Sequence, residues 1–384
     1  MKLRWDIFCT VIDNFGDIGI AWRLARQLTE EFDQDVRLWV DDMGSFQRLE
    51  PRLDQNRTSQ IIGGVEIHHW TDTPSDTEPA QVVIEALACR LPDAYLQKMA
   101  AMTVRPVWIN LEYLSAEDWV KDCHGLASPH PRLPLTQTFF IPGFGPGTGG
   151  LLGSPRQHEE LDAWRRQAGA RGRFFAELGI ESFPDQALAV SLFAYDNPAI
   201  AGLLDALAEY SRPAMLIVPE GKASGRVAAW MGKSELQSGQ IVRCGQLDVC
   251  TIPFLDHDRY DRLLWACDLN CVRGEDSFIQ TQWAARPLIW QPYMQEDGAH
   301  WKKLRAFQAL YLEGVEPDTA RLLAEAWRVW NAGEAAPGVW REYLEKLPEL
   351  SAHAGRWGIR IKTWPSLADE LVKFALNKIQ SPVF

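Results

Sequence analysis

The chain has 384 residues, 46% of them apolar, and a formal net charge of −12, too long for one ordinary α/β core and well supplied for two. With 51 acidic against 39 basic side chains and no long Lys/Arg run, it lacks the basic surface on which phosphate-backbone affinity rests, which excludes nucleic acid as a partner. No long apolar segment opens the chain, and Asp6 and Asp13 interrupt its first strand, so neither a signal peptide nor a membrane span is expected; the seven cysteines, odd in number and without a Cys-x-x-Cys pair, read as reduced, buried thiols of a cytoplasmic protein.

The first predicted unit covers 5–27, where an apolar strand runs into the turn Asp13-Asn14-Phe15-Gly16-Asp17-Ile18-Gly19 and then an amphipathic helix. Strands follow at 36–40, 65–67, 82–86 and 107–111, with helical patterns between several of them, which predicts a parallel sheet covered by helices. Asp41-Asp42 would suit a divalent ion, but a strand-end turn is the commoner meaning of such a pair. His68 and His69, adjacent on a strand, point to opposite faces, so no metal site is expected. The glycine-rich run 143–150 lacks the Lys-Ser/Thr ending of a P-loop; it suits mobility or close backbone approach, and reads as a mobile loop in preference to a ligand site.

Residues 156–178 read as one helix dense in Arg, Glu and Ala, with a hinge at 182–185. A second alternating unit follows, with strands at 187–195, 214–218, 240–243, 269–272 and 288–291, and a helix at 259–267 among those between them. From Asp297 onward the chain reads as helical, ending with a helix over 365–377. Of the seventeen tryptophans, Trp5, Trp39, Trp108, Trp265, Trp283 and Trp290 lie in strands or amphipathic helices and are expected in the core.

Residues 267–293 read as strand, tight turn, helix and strand. Gly274 breaks the apolar run, and Ser277 is expected to cap a helix over 278–285 that stops before Pro287. Such a turn aims backbone N–H groups and the positive end of a helix dipole at one point, a ready place for a nucleotide diphosphate. It also carries Arg273, Glu275 and Asp276, and acids beside a diphosphate are unfavourable unless they bind ribose hydroxyls or cap the helix. Taken alone, the segment reads equally well as a charged βα turn.

Together, the turn from Asp13 to Gly19 and the run Arg273-Gly274-Glu275-Asp276-Ser277 resemble the EarP family, the bacterial protein-arginine rhamnosyltransferases that modify elongation factor P. The resemblance continues through Phe193-Ala194-Tyr195, Pro253-Phe254 and 258–265, and so covers essentially the whole chain. It implies an α/β fold of GT-B type, two Rossmann-like domains facing each other across a cleft. These are an acceptor-binding domain over 1–182, with the C-terminal helix 360–384 crossing back onto it, and a nucleotide-sugar-binding domain over 183–359. The implied reaction is inverting and metal-independent: L-rhamnose moves from dTDP-β-L-rhamnose, the donor substrate, to an arginine of elongation factor P, activating it for ribosomes stalled on polyproline. No cofactor is implied, and neither nucleic acid nor membrane is a partner.

A guanidinium has delocalised lone pairs and a pKa above about 12, so it must be both held and deprotonated. Asp13 and Asp17, four residues apart across a turn, could both face one guanidinium, and the resemblance implies Asp17 and Glu275 as functional, Glu275 either orienting the donor or polarising the acceptor arginine. Asp13 would pair with the acceptor and Asp17 serve as base; an isolated Asp-x-x-x-Asp would read as caps of the turn and the helix. The donor-binding residues carried over are Asn14, Phe15, Gly16 and Asp17, then Phe193, Tyr195, Phe254, Leu255, Asp256 and His257, and finally Arg273, Gly274, Glu275, Asp276 and Ser277. Leaving-group charge would fall on Arg273 and the helix opening near Ser277. Phe254 would stack on the thymine, or lie in the core beside Pro253, and His257 stands where a glutamine is expected at the base. The competing readings are a GT-B transferase of another nucleotide sugar, and a non-catalytic nucleotide-sugar-binding module, to which paired acids at Asp13 and Asp17 would be useless.

Overall fold

The computed structural model describes residues 1–13, 15–70, 77–181, 183–184, 186–295 and 297–380. The chain forms two compact units, Met1–Ser154 with Thr363–Phe384, and Pro155–Lys362. Unit 1 contains β1 (Arg4–Cys9), α1 (Gly16–Glu30), β2 (Asp35–Val40), α2 (Met43–Leu49), β3 (Ser59–Ile62), β4 (Val65–His69), β5 (Val82–Ala86), α3 (Asp93–Ala101), β6 (Val107–Leu111), α4 (Trp119–Cys123), β7 (Ala127–Pro129) and β8 (Thr136–Phe140). Its described strands form one sheet in the order β3-β4-β2-β1-β5-β6-β8-β7. The two edge pairs, β3 with β4 and β7 with β8, are antiparallel, and the pairs between them are parallel.

The central strands are near-continuous apolar runs because helices cover both faces of a parallel sheet; every residue of β5 is buried. Asp6 breaks the run of β1 without cost to the pairing, since Arg37 on β2 meets it with two hydrogen bonds of 2.6 and 2.7 Å, and the Ala80 amide adds a third of 2.8 Å. The strands predicted for this unit are present. The edge strands β3 and β7, and β8 beside the latter, have no counterpart among the predictions, because their partly exposed residues do not form an apolar run. At β1 the strand order reverses, with β2 on one side and β5 on the other; ligands of open α/β sheets bind beyond the carboxyl ends of strands at such a reversal.

Unit 2 opens with α5 (Pro155–Arg166) and α6 (Ala170–Glu177), followed by β9 (Leu188–Leu192), α7 (Ile200–Ala208), β10 (Ala214–Pro219), α8 (Lys222–Trp230), β11 (Ile241–Cys244), β12 (Leu247–Ile252), α9 (His257–Ala266), β13 (Leu269–Arg273), α10 (Asp276–Trp283) and β14 (Leu288–Gln291). Helices α11 (Ala299–Tyr311), α12 (Pro317–Ala332), α13 (Pro337–Glu345) and α14 (Leu347–Ile361) complete it. The sheet order is β11-β12-β10-β9-β13-β14, antiparallel at β11 with β12 and parallel elsewhere, and it reverses at β9. The expected strand 187–195 ends at Leu192, which leaves Phe193 and Tyr195 in the loop beyond its carboxyl end.

Two expectations about chain organisation change. The helix expected over 156–178 is broken at Gly169, whose φ is +71°. Its two pieces pack on unit 2: Gln157 donates to Asp261 and Gln280 at 2.9 and 2.7 Å, and Arg171 to Asp268 at 2.6 Å. The division therefore falls at 154/155 and 362/363, not at 182/183 and 359/360. Of the expected hinge, Ser182 and Asp185 lie outside the described residues.

The glycine-rich run, expected as a mobile loop, is packed where the chain returns to unit 1 through α15 (Leu367–Gln380). The Leu151 amide donates to the Pro365 carbonyl at 3.0 Å, and the Leu367 amide to the Leu151 carbonyl at 2.9 Å. A Cβ at Gly150, where φ is +78°, would stand 2.4 Å from the Pro365 oxygen, so the glycine permits close approach of backbones.

The six tryptophans assigned to the core are all buried. Five cysteines are buried, Cys123 is half-buried, and Cys244 is exposed because it ends the edge strand β11. Among the described residues no helix is long and apolar enough to cross a membrane, and no group of three His, Cys, Asp or Glu side chains is placed to hold a metal.

Candidate active site

In unit 1 the chain leaves β1 at Cys9 and turns into α1. The Gly16 amide donates to the Asp13 carbonyl at 2.7 Å, and a Cβ on Gly16 would lie 3.1 Å from Asp13 Oδ2, so the tight turn leaves little room for a side chain there. Asp17, only 1% exposed, accepts hydrogen bonds on Oδ2 from the amides of Ile12 and Asp13, each 2.8 Å, and on Oδ1 from the Tyr113 hydroxyl at 3.0 Å. Asp41 Oδ1 accepts from the Val11 amide at 2.9 Å.

Three successive amides of the turn are thus spent on carboxylates. In a nucleotide-binding Rossmann turn such amides face a phosphate; here the turn is acidic and suits a cation. Burial lifts the Asp17 pKa above the usual carboxylate value, helped by the charge of Asp13 and opposed by the three hydrogen bonds. That direction improves a carboxylate as a base.

In unit 2, Arg273 ends β13 and is 8% exposed. Its guanidinium carbon lies 4.6 Å from the ring centres of both Phe193 and Tyr195. Nη1 finds no hydrogen-bond partner among the described residues. A buried guanidinium N–H without an acceptor costs free energy, which an anionic ligand would recover. Gly274 (φ +64°) donates its amide to the Gln291 carbonyl at 2.9 Å and accepts from Trp290 Nε1 at 2.7 Å, so the turn is clamped to β14. The Gln291 side chain in turn accepts from the Tyr195 amide at 3.2 Å.

The helix opens at Asp276, two residues before the expected start, because the left-handed turn at Gly274 lets it begin at once. Ser277 is therefore not its cap: the hydroxyl donates back to the Arg273 carbonyl at 2.5 Å. Both acids of the turn have cationic or ionisable neighbours, Glu275 at 3.3 Å from Lys303 Nζ and Asp276 at 3.5 Å from His257 Nε2. Asp256 caps α9 by accepting from the Arg259 amide at 2.8 Å, and Leu255 is buried. Phe254 is half-buried with its ring 6.3 Å from that of Phe193, and Tyr260, whose hydroxyl burial pushes up in pKa, lies 5.4 Å from Phe193.

The residues singled out in the sequence thus fall into two groups. Asp13, Phe15, Gly16 and Asp17 belong to unit 1, where Arg48 lies over the Phe15 ring at 5.5 Å; Asn14 lies outside the described residues. Phe193, Tyr195, the segment from Phe254 to His257 and the turn from Arg273 to Ser277 belong to unit 2. Sequence reasoning missed Tyr113, Lys303 and Gln291, and read Asp41 only as a turn or metal residue. Tyr113 meets Asp17 across 96 residues of chain, a proximity that only the strand order discloses.

The family model for elongation factor P (EF-P) rhamnosyltransferase EarP matches residues 5–376. The protein-arginine rhamnosyltransferase of Pseudomonas putida is 46% identical over 379 residues, 99% of this chain and 100% of the relative. That of Pseudomonas aeruginosa is 45% identical, covering 96% of this chain and 98% of its own. A solved structure bearing on EarP-mediated arginine glycosylation of translation elongation factor EF-P is 35% identical, covers 98% of this chain and 99% of its own, and has a TM-score of 0.71. A putative UDP-N-acetylglucosamine 2-epimerase of Listeria monocytogenes, 11% identical with a TM-score of 0.51 over 100% of this chain and 98% of its own, shares the fold alone.

Proposed function

The chain belongs to the EarP family of elongation factor P rhamnosyltransferases, glycosyltransferases of GT-B fold, and from that premise we propose that it transfers L-rhamnose from dTDP-β-L-rhamnose to an arginine of elongation factor P, inverting the anomeric carbon. The observation that carries this reading is the opposite polarity of the two turns. The turn of unit 1 has given its amides to Asp17 and Asp41 and suits a guanidinium. The turn of unit 2 holds Arg273 with an N–H unsatisfied and suits a diphosphate.

In this mechanism the donor diphosphate lies on Arg273 and the amino end of α10, and the rings of Phe193 and Tyr195 hold the guanidinium in its plane. Phe254 offers its ring to the thymine. Asp13 pairs with the acceptor guanidinium, and Asp17 removes a proton as the nitrogen attacks the anomeric carbon. The bond to the diphosphate breaks, and its charge is met by Arg273 and the helix, the role a metal plays in other sugar transferases. Glu275, held by Lys303, is the third carboxylate of the reaction. An acceptor that serves translation places the reaction in the cytoplasm.

The test is incubation with elongation factor P and dTDP-β-L-rhamnose, followed by intact mass. A gain of one deoxyhexose on the acceptor, lost when its target arginine is replaced by lysine, is the expected result. A gain seen only with another sugar nucleotide would overturn the donor assignment, and no gain with any donor would overturn the acceptor.

A further inference from the structure

The two carboxylate oxygens of Asp17 are not equivalent. Oδ2 accepts two backbone N–H groups, which can only donate, so a proton placed there would confront two donors. Among the described residues Oδ1 accepts one hydrogen bond, from the Tyr113 hydroxyl at 3.0 Å, and keeps a lone pair for an incoming N–H. The same hydroxyl has a second acceptor within reach, the Leu87 carbonyl at 3.2 Å, and only one hydrogen to give. That carbonyl belongs to an unusual backbone: Leu87 and Ala88 both lie in the left-handed region, with φ of 58° and 65°. Neither is glycine, and such conformations persist where the surrounding structure enforces them, often at functional sites. The Leu87 amide is tied to the Leu111 carbonyl at 2.8 Å, which fixes the loop to the end of β6.

We infer that Tyr113 is a positioning residue that lets Asp17 receive the acceptor's proton on Oδ1. The inference rests on the reading of Asp17 as the base. While Asp17 is a carboxylate, Tyr113 donates to Oδ1. As the acceptor nitrogen forms its bond to the anomeric carbon with its own electron pair, its proton passes to Oδ1, and the carbon–oxygen bond to the diphosphate breaks with its electrons leaving on dTDP. The protonated Oδ1 then donates to the Tyr113 oxygen, whose hydrogen turns to the Leu87 carbonyl. One hydroxyl rotation keeps a donor facing an acceptor at Oδ1 in both protonation states, where a fixed donor would clash with the product.

The groups that face Asp17 are Asp13 on its own loop, Cys9 at the end of β1 and Tyr113 from the loop after β6, with Asp41 and Cys89 beyond Cys9. Among the described side chains, Tyr113 lowers the pKa of Asp17 by donating to it, and this sets the sign of the test. Tyr113→Phe removes the hydroxyl and keeps the ring. The acid limb of kcat/KM for elongation factor P should move up by roughly half to one pH unit, and kcat at neutral pH should fall about 10-fold. The affinity for dTDP, measured by calorimetry, should stay at the wild-type value. An acid limb that coincides with wild type overturns the inference, whatever the loss of rate, and so does an equal loss of dTDP affinity. Asp17→Asn measured alongside separates the two levels: turnover there within a few-fold of wild type removes Asp17 as base, whereas its loss beside an unmoved limb in Tyr113→Phe removes only the role of Tyr113.

Discussion

The turn after β1 in unit 1 and the turn after β13 in unit 2 have the same construction, a parallel strand running through a glycine into a helix, and opposite electrostatics. In unit 1, carboxylates satisfy the amides at Val11, Ile12 and Asp13 from within the fold. The side chains that satisfy that turn are acidic. In unit 2 the acids beside the turn are drawn toward Lys303 and His257, and Arg273 is left with an N–H to satisfy. Its unsatisfied group is a cation's N–H. On the proposed reading, a βα turn takes its ligand charge from whichever groups have already satisfied its backbone, and the glycine motif alone does not decide it.

The sharpest way to break the comparison is at Asp17. Asparagine can accept from the Ile12 and Asp13 amides through its oxygen and donate to the Tyr113 hydroxyl, so the turn should survive, but it cannot take a proton. Transfer to elongation factor P should fall by about 10²-fold to 10⁴-fold, read by intact mass over time. The same variant makes a stability prediction whose sign follows from the raised pKa. A carboxyl whose folded pKa lies above its unfolded value favours folding while protonated, and that contribution is lost as pH rises through the folded pKa. Asp17→Asn should therefore melt at or above the wild-type temperature at neutral pH, and the gap should close below the ordinary carboxylate value of about 3.9. A lower melting temperature at neutral pH would show that the carboxylate holds the turn more strongly than it strains it.

Gly150→Ala sharpens the comparison from the other side, since this glycine serves the fold and neither ligand. Its left-handed φ and the Pro365 oxygen 2.4 Å from a new Cβ should cost roughly 1–3 kcal/mol in a chemical melt while dTDP affinity stays unchanged. A stable variant with weakened donor binding would restore the glycine run as a ligand loop. The smallest effect is expected at His257. Its ring faces Asp276, and His257→Gln, which keeps an N–H donor for that carboxylate, should change dTDP affinity by about threefold at most. A larger change would put the ring on the nucleobase.

Much of the architecture was legible because buried parallel strands write themselves as apolar runs: the segments 36–40, 82–86, 107–111, 214–218 and 288–291 all recur as strands. β12 was not, since Asp248 and Thr251 interrupt its run, and neither were β3, β7 and β8. The unit boundary escaped because the pattern of α5 and α6 shows an apolar face without saying which sheet it meets; Gln157 and Arg171 decide that through partners about a hundred residues away. At the site, the turn residues were visible as motifs. The sandwiching of Arg273, the clamp on Gly274 and the meeting of Tyr113 with Asp17 depend on strand order, which no local spacing encodes.

The central claim, a cation turn in unit 1 and an anion turn in unit 2, is tested most directly by titrating dTDP calorimetrically into Asp17→Asn and Arg273→Met side by side. The account predicts wild-type affinity for Asp17→Asn, and a loss of about 10-fold to 100-fold for Arg273→Met, the scale of one charge-assisted hydrogen bond. Wild-type affinity in Arg273→Met, or a comparable loss in Asp17→Asn, would contradict it.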